Sequence, residues 1–152
     1  MLSWRRPIQI FLQAIRHPVI GKIAFSYLLF QFGFALYYVY VMVKAQRLYH
    51  VTPLQLGLFS AVMGVGFVIG TTVGYRTAAT WLKSDAKVAA AGLFACGIFI
   101  LIAAAPLGVP LMVVAALLAS ITNVLAFVAL LTLSAAQPAP RNRAGRSASA
   151  AR

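Results

Sequence analysis

The side chains able to do chemistry are few, and most lack a partner that would activate them. A serine nucleophile needs a base within hydrogen-bond reach. Ser26, Ser60, Ser120 and Ser134 have no histidine or acid near them in the sequence. Asp85 is the one acidic side chain among 152 residues. A single carboxylate excludes paired-carboxylate hydrolysis, two-metal sites and acidic calcium loops. Cys96 is the sole cysteine and lies in an apolar run, so no internal disulfide forms and it reads as a small apolar residue. No Cys/His cluster has metal-ligand spacing, so the expectation is no metal, no cofactor and no enzyme. Gly64-Val-Gly66-Phe-Val-Ile-Gly70 has the outline of a dinucleotide fingerprint, with one residue too many before the last glycine.

What remains is binding chemistry inside apolar segments. Tyr27, Gln31, Phe34 and Tyr38 fall on one helical face, and Ser120, Asn123 and Phe127 share another. A polar group in a membrane segment is costly unless it is paired or wet, so Gln31, Tyr38 and Asn123 are candidates for lining a substrate cavity. Interhelical hydrogen bonds would account for the same residues equally well. Tyr37, Tyr38 and Tyr40 near the end of the first apolar run also fit an interfacial aromatic belt. Gly66, Gly70 and Gly74 are spaced by four and form a helix-packing face that lets another backbone approach closely.

The elements that must carry these residues follow from composition. Hydrophobic residues make up 62% of the chain and charged residues 9%, against roughly a quarter charged in a soluble domain. Four uncharged apolar runs are long enough to cross a bilayer: about 23–43, 54–75, 88–105 and 111–133. The first, 21 residues between Lys22 and Lys44, would span about 31 Å as a helix. Thr52-Pro53 opens the second run, since proline is tolerated in a first helical turn. Asp85 beside Ser84 suits the N-terminus of the third helix, where the dipole favours an anion. Pro106-Leu-Gly-Val-Pro110 breaks the last two runs into a helical hairpin. The fold class is therefore all-α, a polytopic membrane protein with four transmembrane helices and a membrane domain over 23–136.

The formal net charge of +12 is topological rather than a nucleic-acid signature, because the bases cluster between the apolar runs. With four spans, 11 of the 13 bases fall on one side and two on the other. The positive-inside rule then places both termini in the cytoplasm and the chain in the inner membrane of a cell. His17 and His50 lie at span margins and read as solvated. Residues 1–22 read as an amphipathic interfacial segment, with Ile8, Phe11, Leu12, Ile15 and Val19 on one face and Arg5, Arg6 and Arg16 as cationic heads. Residues 137–152 lack apolar periodicity and read as a disordered basic tail. Both flanks would lie against anionic lipid headgroups, and the partners expected are the bilayer and other membrane helices rather than nucleic acid.

Several stretches resemble the major facilitator superfamily. They are Arg16-His-Pro-Val-Ile20, Phe25-Ser-Tyr-Leu-Leu-Phe-Gln-Phe-Gly33, and Val51-Thr-Pro-Leu-Gln-Leu-Gly57 leading into Met63-Gly-Val-Gly66. Ser84-Asp-Ala-Lys-Val88 followed by Gly92 is similar to a cytoplasmic loop two helices later, and Pro138 with Gly145-Arg146 to the loop after that. The resemblance runs over roughly residues 16–146 and would make the chain helices seven to ten of a twelve-helix transporter. It implies a fragment of the C-terminal half of a secondary-active transporter of small solutes, with Gln31 and Asn123 on cavity-facing helices. Such transporters rock two six-helix halves about a midplane site, so four helices alone would not transport. The alternative is a self-contained, non-transporting protein that oligomerises through Gly66, Gly70 and Gly74.

Overall fold

The computed structural model describes residues 18–136, and no strand occurs among them. Helix α1 spans Pro18–Tyr49 and α2 spans Pro53–Ile69. A π-helical turn, Gly70–Gly74, carries α2 without a break into α3, Tyr75–Leu82. Helices α4, Asp85–Ala104, and α5, Val109–Ala135, complete the described residues. Counting α2, the π turn and α3 as one rod, four helices among the described residues are long and apolar enough to cross a membrane.

These boundaries differ from the apolar runs in a consistent way. A helix does not stop where its apolar stretch stops. It continues until the backbone meets a residue that ends it. Thus α1 begins at Pro18 and continues past Lys44 to Tyr49, and the second rod runs on through Arg76 to Leu82. The left-handed residues His50 (φ 51°) and Lys83 (φ 53°) follow these two ends, a common way to close a helix. The interfacial segment expected over 1–22 lies outside the described residues up to His17, and its last part, from Pro18, is the first turn of α1. The basic tail over 137–152 also lies outside the described residues.

Local chemistry fixes the other ends. Thr52 and Gln55 make a reciprocal capping box around Pro53: the Thr52 N–H donates to Gln55 Oε1 at 2.8 Å, and the Gln55 N–H to Thr52 Oγ1 at 3.4 Å. Gly108, at φ 87°, makes the turn between α4 and α5, a backbone state that side chains rarely adopt. The bundle therefore has a turn end, holding the α1–α2 loop and Gly108, and a tail end, holding the α3–α4 loop and the two ends of the described chain.

Helix α5 is the hub, and α1, α2 and α4 all pack on it. Most of its inward positions are small: Ala115, Ala116, Ala119, Ser120, Ala126 and Ala129 are buried, beside the larger Met112, Asn123, Val124 and Leu130. Small side chains let backbones come close, and glycines on the partners use that space. A Cβ added at Gly70 would sit 2.8 Å from the Ile121 carbonyl oxygen, and one at Gly92 would sit 2.9 Å from the Ala126 nitrogen. A Cβ at Gly66 would meet Leu117 and Ser120 at 3.0 Å, and one at Gly74 would meet Leu125 at 3.3 Å. The glycine face of α2 is thus filled by α5 of the same chain. A second chain would have to displace α5 to use it.

Candidate functional site

Helix α1 runs antiparallel to α5, and its inner face carries the polar candidates. Near the tail end Tyr27 stacks on Phe127, with ring centroids 5.2 Å apart. One turn further along, Gln31 Nε2 donates to the Tyr27 hydroxyl at 3.2 Å. On α5, Asn123 lies one turn from Phe127 in the same direction and is 1% exposed. The Tyr27–Phe127 stack therefore brings Gln31 and Asn123 to the same depth, halfway along their helices.

Their hydrogen-bonding capacity is not met. Gln31 Oε1, the Tyr37 hydroxyl and both side-chain atoms of Asn123 are buried without a hydrogen-bond partner among the described residues. An unsatisfied buried polar group costs about 1–3 kcal/mol. Around them the surfaces are apolar or already satisfied. The Ser120 hydroxyl donates to the Ala116 carbonyl at 2.9 Å, and the Cys96 thiol to the Ala119 carbonyl at 3.5 Å. Tyr38 is placed apart from this pair. Its hydroxyl meets Ser60 Oγ of α2 at 3.0 Å, so it joins α1 to α2. The structure brings Gln31 and Asn123 to one level and turns Tyr38 to another seam.

Two depressions lie elsewhere in the bundle. A cavity of about 330 Å³ lies at the turn end, among Tyr49, Val51, Leu56, Phe59, Met112 and their neighbours. A second depression, about 540 Å³, lies along Ile69, Val73, Thr77 and Trp81. Neither includes Gln31, Tyr38 or Asn123. No group of three metal-ligating side chains occurs among the described residues. Of the three tyrosines expected to form an aromatic belt, Tyr37 is instead buried at 6% exposure, while Tyr40 is exposed. Asp85 does occupy the first residue of α4, but the Ser84 side chain makes no capping bond. Its carboxylate accepts from the Tyr75 hydroxyl at 2.8 Å, and that hydroxyl also meets Thr132 Oγ1 at 3.1 Å. One tyrosine thus ties α3, α4 and α5 together at the tail end.

The most connected polar residue is one that hydropathy marks only as a boundary. Lys44 is 5% exposed. Its ammonium donates to the carbonyl oxygens of Ala103, Ala104 and Ala105 at 3.0, 2.9 and 2.6 Å. These carbonyls end α4; that of Ala105 also accepts the Leu107 N–H at 2.9 Å, and those of Ala103 and Ala104 have no helical turn beyond them to supply donors. A cation also suits the negative end of the helix dipole. The Tyr49 ring lies 5.9 Å from the ammonium, and the Tyr49 hydroxyl accepts the Gly108 N–H at 3.2 Å. Nothing in the sequence around Ala103–Ala105 marks these acceptors, because every residue carries a carbonyl.

No family model matches the chain, and neither does any curated protein or solved structure. The likeness to major facilitator transporters therefore rests on the motifs quoted above.

Proposed function

We propose that this chain is part of a small-solute transporter of the major facilitator type, inactive by itself, with Gln31 and Asn123 at its solute path and Tyr38 on the seam between α1 and α2. The observation that carries the reading is the pair of amides held halfway through an apolar bundle with polar atoms unmet. Groups so costly in a membrane interior commonly mark substrate and ion pathways. The reading assigns transport, not catalysis. The distribution of bases supports an inner-membrane location with both termini cytoplasmic, the flanking bases facing anionic headgroups.

The self-associating alternative draws on the same glycines that α5 already covers. The test is water access. In a Cys96→Ala background, cysteines placed at 31, 38 and 123 should react with a charged, water-soluble thiol reagent in native membranes. A lipid-facing Leu28→Cys control should react far more slowly. Reaction at all three sites no faster than at the control would overturn the proposal.

A further inference from the structure

The attachment of α1 is uneven along its length. Its most apolar stretch is only 6% buried, against 50% for α5. At the middle, Gln31 and Tyr37 leave polar atoms without partners. At the turn end the contact is dense and directional: three carbonyls on the Lys44 ammonium and one backbone N–H on the Tyr49 hydroxyl. Hydrogen bonds to a charged group are worth roughly twice neutral ones, and more where water is scarce. They also bind two partners that hydropathy alone would let slide past each other.

We propose that Lys44 is a clasp, a positioning residue whose charge fastens α1 to the α4–α5 turn and so seals the centre of the bundle. Its donors fill the acceptors that end α4, so the ammonium acts as a C-cap supplied from another helix. An apolar side chain of the same length would keep the packing and leave the Ala103 and Ala104 carbonyls unmet, that of Ala105 keeping the Leu107 N–H. Release of the clasp frees the turn end of α1 and uncovers what lies beneath it. Cys96 is beneath it: fully buried, it shares one cluster with Phe34, Tyr37 and Val41 of α1. The inference does not depend on the transport reading, since it concerns how α1 is held and not what passes.

The chain supplies its own reporter, because Cys96 is its sole cysteine. In native membranes, N-ethylmaleimide should label Cys96 slowly in the unaltered chain. Lys44→Met should speed labelling about ten- to a hundredfold, the range expected when charge-assisted hydrogen bonds guarding a local opening are lost. Lys44→Arg, which keeps the charge and the donors, should stay within about threefold of the unaltered chain on the same grounds. Labelling of Lys44→Met at the unaltered rate would overturn the clasp. If Lys44→Met does not accumulate in the membrane, Lys44→Arg decides. Accumulation with slow labelling supports the clasp, and failure of both variants alike overturns it in favour of plain packing. The thiol-access test of the solute path uses other cysteines in a Cys96→Ala background, so the two proposals fail separately.

Discussion

Helices α1 and α5 look alike to a hydropathy scan. Both are long, at 32 and 27 residues, and both are apolar enough to cross a membrane. Yet half of the most apolar stretch of α5 is buried, and almost none of the corresponding stretch of α1. The difference is side-chain size. Helix α5 turns alanines and Ser120 inward and so accepts three neighbours at close range. Helix α1 is dressed in Phe, Leu and Tyr, many of which point away from the bundle. In a bilayer a large apolar residue gains little by leaving lipid for protein, so close packing decides which helix becomes the hub.

That contrast can be broken most severely at the seam itself. Gly92→Val places its Cβ against backbone atoms of Thr122 and Ala126 that cannot move aside locally. We expect a loss of about 3 kcal/mol or more, read as a collapse of protease resistance in detergent. Next comes the tail-end tie. Tyr75→Phe removes the donor to Asp85 and the contact with Thr132, and should cost about 1–2 kcal/mol by thermal unfolding. Third, Asn123→Leu should raise stability, by about 1 kcal/mol, because it removes two unmet polar atoms from the core of the hub. A destabilised Asn123→Leu would show that the amide finds a hydrogen-bond partner in the membrane, protein or water. Smallest of all is Leu28→Ala on the outer face of α1, where the side chain is 66% exposed. Its unfolding midpoint should shift by less than about 0.5 kcal/mol equivalent. A large loss there would mean that this face is covered by a partner.

The sequence shows the helices clearly and their attachments poorly, for a physical reason. Apolar runs between basic clusters are a property of consecutive residues, so four spans can be read directly. The α4–α5 hairpin is legible in the same way from Pro106, Gly108 and Pro110. The glycine repeat on α2 shows that something packs there, but not that α5 does. Lys44 stays hidden because its acceptors lie 59 to 61 residues away and are main-chain atoms. Tyr75 is hidden likewise, its role set by how α3, α4 and α5 converge. Of the polar candidates, spacing correctly groups Gln31 with Tyr27, yet it cannot tell that Tyr38 turns toward Ser60 instead.

The π turn at Gly70–Gly74 has a bearing on phase. An α-helix advances 100° per residue, so a repeat of four overshoots a full circle by about 40° at each step. Three glycines four apart would spiral off a straight neighbour. A wider turn takes up that excess and returns Gly74 to α5 after Gly70. The turn sets the phase between two α-helical segments. Winding the same residues as an ordinary α-helix would leave α2 where it is and rotate everything beyond, carrying the Tyr75 hydroxyl away from Asp85. The five residues thus set the compass bearing of the whole tail end.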